Sequence, residues 1–111
     1  MDKLNEYRRI IEETLTGYAN LPYRHKDVHV KTAFDRDRDR YLVMKEGWND
    51  DDRVHYSLID IEIIGDKIWI HCDHTEEGVA SDFERDGIPK DQIVLGFREP
   101  EVRPYTGYAA A

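Results

Sequence analysis

Residues 53–72 read RVHYSLIDIEIIGDKIWIHC. Ile59, Ile61 and Ile63 alternate with Asp60 and Glu62, the period of a strand with one face buried and one face wet. Gly65 and Asp66 supply a two-residue hairpin turn. Ile68, Ile70 and Cys72 repeat the alternation on the way back, which places all three on one side. Links this short make consecutive strands antiparallel neighbours. Upstream, the pattern predicts a turn over 47–52, a strand over 41–45 and another from Val28 carrying Val30, Thr32 and Phe34 on one face. Asp and Arg alternate from 35 to 40, which reads as a salt-bridged hairpin. Further out, Leu4, Tyr7, Ile11, Leu15, Tyr18 and Leu21 recur at steps of three and four, one face of a helix. Asp2 can cap that helix and Pro22 ends it. Downstream, Asp73 or Thr75 caps a second helix, with Glu76 three residues after Asp73 as in a capping box. Val79, Ala80 and Phe83 form its inward stripe, and Gly87 closes it. A short strand over 93–97 and a tail over 98–111 follow. The expected fold is α+β: an antiparallel sheet of about four to five strands, with an N-terminal helix and a C-terminal-half helix on one face, in a single domain over 1–111.

Composition narrows the function classes. The chain has 111 residues, enough for one domain with a core of its own. Charged residues make up 36%, yet two Trp, seven Tyr and the runs of Ile and Val set it apart from a disordered chain. The formal net charge is −8, which disfavours direct binding to a phosphate backbone. Residues 66–101 hold ten acids against four bases, a net of −6. That reads as a solvated face or as a surface complementary to a basic partner. Cys72 is the only cysteine, so neither an intramolecular disulfide nor a multi-cysteine zinc site can form. Residues 1–15 do not resemble a signal peptide, and no apolar run is long enough to span a membrane. The cytoplasm is the expected compartment.

The densest chemistry is His71, Cys72, Asp73, His74, Glu76 and Glu77, six metal-ligand residue types within residues 71–77. A metal-dependent enzyme built on His71, Asp73, His74 and Glu76 is therefore the alternative function. The two histidines lack the four-residue spacing of a helical zinc motif. The half-signature His74-x-Glu76 lacks the cysteine pair that zinc deaminases need, and helix capping already accounts for Asp73 and Thr75. Ser57 and Ser81 are the only serines, and neither sits in a nucleophile elbow. None of the six lysines, Lys26 among them, has an acid two residues before it, as a metal-dependent nuclease motif of the D…(D/E)-x-K kind would require. No enzyme activity, metal or cofactor is expected. Interface chemistry is better represented. Trp48 sits among polar turn residues, and Arg98, Arg103, Tyr105 and Tyr108 sit in a tail broken by Pro100 and Pro104. Trp, Tyr and Arg are the residue types that anchor protein interfaces. The tail either covers its own sheet edge or meets a partner.

Several stretches, taken in order, carry a family likeness. They are MDKLNEY at 1–7 with Ile10 and Ile11, Phe34-Asp35 with Arg38, Asp39 and Tyr41, Gly47-Trp48, GDKIWI at 65–70, TEEGVA at 75–80, GIPK at 87–90 with IVL at 93–95, and Arg103 and Thr106 before Tyr108-Ala109. On these the chain resembles the XisI-like family, the fdxN-element excision controlling factors of cyanobacteria. The resemblance implies a role in controlled excision of a DNA element during heterocyst differentiation. It also implies work beside an XisH-like companion with a restriction-endonuclease-type fold. It carries over no catalytic residues. Relatives often have Gln where this chain has His71 and vary at His74, which weighs against the metal alternative. The expected protein is a non-catalytic accessory factor that acts through protein–protein binding. It is expected to form a two-fold homodimer, the commonest oligomer, and not to bind DNA alone.

Overall fold

A computed structural model describes residues 2–22 and 27–111. Met1 and Lys26 lie outside the described residues. Asp2 accepts a hydrogen bond from Leu4 N at 3.0 Å and starts α1 (Lys3–Ala19) as expected. The helix stops at Asn20, and Leu21 lies beyond it with 56% of its surface exposed. The buried stripe is Tyr7, Ile10, Ile11 and Leu15, so Leu21 does not extend it.

Four strands follow as a meander: β1 (Val28–Asp35), β2 (Arg40–Asn49), β3 (Asp52–Ile64) and β4 (Lys67–Asp73). Each pairs antiparallel with the next. After α2 (Val79–Arg85), a short β5 (Ile93–Leu95) joins β4 in parallel. Among the described residues the sheet therefore has five strands in the order β1-β2-β3-β4-β5. A strand that returns after a helix crosses over and lies parallel, which hairpin logic alone does not supply. One core holds the α1 stripe, the inward residues Tyr41, Val43, Ile59, Ile61, Ile63, Ile68 and Ile70, and Val79, Ala80 and Phe83 of α2. Both helices thus cover the same face of the sheet.

Three local readings change. The turn expected over 47–52 is strand as far as Asn49, and only Asp50 and Asp51 turn. Gly47 is needed because β1 passes so close: a Cβ there would lie 2.0 Å from Asp27 O. Second, His71 is an extra residue in β4, since Asp60 pairs with Cys72 while Ile61 pairs with Ile70. Such a bulge resets the alternation. Cys72 consequently shares the outer face with Asp60 rather than the inner face with Ile68 and Ile70. Third, α2 begins at Val79, later than the capping reading implied. Asp73 still reaches it: one carboxylate oxygen accepts from Thr75 N and Thr75 Oγ1, the other from Val79 N at 2.8 Å. Gly87 closes the helix with a Schellman pattern, in which Ile88 N donates to Phe83 O and Gly87 N to Glu84 O.

The charged alternation over 35–40 does form a hairpin turn, but its ion pairs mostly leave the hairpin. Arg36 pairs with Glu12, Arg40 with Asp60 and Glu62, and Asp39 with Arg8. Only Arg38 with Asp35 stays local.

Candidate protein interface

Trp48 lies near the tip of the β2–β3 hairpin, 51% exposed, with the Arg53 guanidinium 5.4 Å above its ring. The other interface candidates lie past β5, so β3 and β4 stand between them and Trp48. The structure does not bring the five into one patch.

Within the tail, the side chains divide. Arg103 turns inward: Nε donates to Arg98 O at 3.0 Å, Nη2 to Gly96 O at 3.3 Å, and the guanidinium stacks 5.1 Å from the Trp69 ring. Tyr108 packs against the core, and its hydroxyl donates to Glu84 Oε2 at 2.5 Å. Burial, then the Glu84 carboxylate, pushes that phenol up to about 12. Ala109 N donates to Ile93 O at 2.8 Å, so the chain end runs beside β5 and occupies its free edge. Tyr105 is left outside with 88% exposure, on a 3₁₀ turn (Arg103–Tyr105) begun under Pro104. Arg98 stacks on Phe97, and Phe97 and Val102 are each exposed. Phe97 and Val102 were not singled out from sequence, because Phe97 read as strand and β5 ends two residues before it.

The residues of the metal alternative are dispersed. His71 is on the outer face, with Nε2 2.8 Å from Glu62 Oε1. Asp73 is committed to the start of α2. His74 and Glu76 line a cleft of about 380 Å³ with Tyr18, Lys45 and Tyr56, and the His74 ring meets Tyr56 edge-on at 5.6 Å. Glu76 makes no capping-box bond with Asp73. Among the described residues, no three His, Cys, Asp or Glu side chains converge. Burial, then Asp60 and Asp73, pushes the Cys72 thiol up, which holds it in the less nucleophilic protonated form. No helix among the described residues is long and apolar enough to cross a membrane.

Comparison with known proteins bears on the fold and the family. No curated protein matches the chain. The crystal structure of a XisI-like protein from Anabaena variabilis superposes with a TM-score of 0.92 at 33% identity, covering 98% of this chain and 100% of that one. The crystal structure of the fdxN element excision controlling factor XisI from the same organism gives 0.86 at 35% identity, covering 99% and 100%. The model of the XisI protein family matches residues 1–110, and the chain belongs to the XisI family.

Proposed function

We propose that this protein controls the excision of a DNA element as a non-catalytic accessory factor, by binding other proteins. The family membership supports the process, since a relative of this length bears the name excision controlling factor. The observation that carries the binding mode is that large side chains are left outside the core, Trp48, Phe97, Val102 and Tyr105 among them. A folded chain gains nothing by displaying them to water, and Trp and Tyr are residue types that anchor partners. Its partner is an XisH-like nuclease companion in cells that undergo heterocyst differentiation, and it also associates with itself.

Co-expression with a tagged companion tests the reading. Stoichiometric co-elution that survives nuclease treatment is expected, weakened by Trp48→Ala or Tyr105→Ala. A companion that elutes alone, or co-elution that nuclease abolishes, would overturn it.

A further inference from the structure

Among the described residues, β3 over Asp52 to Tyr56 has a strand partner on one side only. β4 reaches no further than the rung joining Ile59 to Asp73, so among the described residues the β2–β3 hairpin stands clear of it. The backbone directions follow from the last contacts on that side. Leu58 O accepts from His74 N at 2.9 Å, and Ser57 O accepts from the Cys72 thiol at 3.2 Å. Both carbonyls therefore face the β4 side. Antiparallel pairing alternates residues that bond to a given neighbour with residues that do not. Counting back from Ser57, His55 and Arg53 turn N–H and C=O to the open side, while Tyr56 and Val54 bond to Lys45 and Gly47 of β2.

We infer that this edge docks a second copy of the chain, which adds its own residues 53–57 antiparallel about a two-fold axis at His55. The inference rests on the self-association proposed above and says where it happens. A two-fold pairing must set outward-facing residues opposite outward-facing ones, and centring on His55 uses all three. It places Arg53 opposite Ser57 of the copy and Val54 opposite Tyr56 of the copy, each pair occurring twice. Aromatic with β-branched is a favourable cross-strand pair, and no two like-charged acids or arginines stand opposite one another. Tyr56, 40% exposed, gains cover. The other margins of the sheet are defended. The β5 edge is occupied by Ala109, and β1 carries Lys31 at mid-strand, a common guard against edge pairing. Between Asp52 and Ser57 there is no Lys or Pro, and the bulge of β3 falls beyond them at Leu58, where the register shifts between Val43 and Met44.

Light scattering at tens of micromolar should give twice the 13.1 kDa chain mass. His55→Pro removes a donor on the open side without touching the β2 ladder, so it should return the 13.1 kDa monomer with unchanged circular dichroism. A cross-link provides a second readout that needs no proline. In a Cys72→Ser background, His55→Cys should oxidise to a covalent dimer, because facing residues of a hydrogen-bonded pair lie about 5.5 Å apart at Cα, within disulfide range. Lys31→Cys in the same background should not. A monomeric wild type overturns both the self-association and this inference. A dimer that tolerates His55→Pro and gives no His55→Cys cross-link overturns the edge alone. Neither result touches companion binding, which co-elution reads separately.

Discussion

Asp39 ties four parts of the chain together from a turn. Its backbone is left-handed at φ 51°, and its carbonyl accepts from Ile63 N at 3.0 Å. Its carboxylate accepts from Arg8 Nε at 2.7 Å and from the Tyr41 hydroxyl at 2.9 Å. The Arg8 guanidinium, then the Tyr41 hydroxyl, hold the carboxyl below the usual aspartate range. A depressed carboxyl stabilises the fold at any pH above its unfolded value of about 3.9, and the contribution is lost as pH falls through the folded value. Asn tolerates the same backbone, so Asp39→Asn removes only the charge. Urea unfolding at pH 7 should show a loss of about 1–3 kcal/mol, and the gap between wild type and variant should narrow as pH falls below about 3.9 and through the folded value. Gly47 is the second residue of this kind. Gly47→Ala forces a methyl into Asp27 O, and should cost at least about 2 kcal/mol through overpacking and displacement of β1. A cost near zero by the same measurement would mean that β1 is not held as described.

The tail shows how two tyrosines three residues apart take different roles. Tyr108→Phe deletes a part-buried bond to Glu84, and its melting temperature should fall by the equivalent of about 1 kcal/mol. Tyr105→Ala should leave stability within about 0.5 kcal/mol while weakening association with the companion. Equal melting shifts for the two would contradict the division. The elements themselves were largely readable: Gly65-Asp66 between alternating isoleucines defines β3 and β4, and the spacing from Leu4 to Leu15 defines α1. What was not readable depended on neighbours distant in sequence. Gly47 looks like a turn residue, and only the approach of Asp27 explains a glycine inside a strand. The bulge at His71 leaves no composition signal, yet it moves Cys72 to the other face. Asp73 reads as an N-cap, but the segment between it and Val79 is loop, so the helix starts late. At the candidate interface, Trp48 and Tyr105 are exposed, as an interface anchor must be. Arg103 and Tyr108 fold back onto partners that the sequence does not show, Gly96 O and the Trp69 ring for the one and Glu84 for the other.

Across the whole molecule the charge is acidic, and many of the cations are already engaged. Arg8, Arg36, Arg40, Arg85 and Arg103 all bond to their own chain. That leaves little for a phosphate backbone, whose binding draws on released counterions. Duplex DNA should therefore show no gel shift tighter than the micromolar to ~100 µM range of non-specific binding at physiological salt. Elemental analysis after dialysis should find no stoichiometric zinc or iron; about one per chain would revive the alternative built on His71, Asp73, His74 and Glu76.

The parallel seating of β5 has a consequence for the order in which the molecule comes together. The first four strands meet neighbours across short turns, so their pairing closes small loops and is fast. β5 pairs with β4 across an intervening helix, a longer loop to close, and Ala109 pairs with Ile93 beyond that. Amide hydrogens at Ile93 to Leu95 and at Ala109 should therefore exchange with solvent well before those of Ile61 and Ile70, because the last pieces to be placed are the first to open.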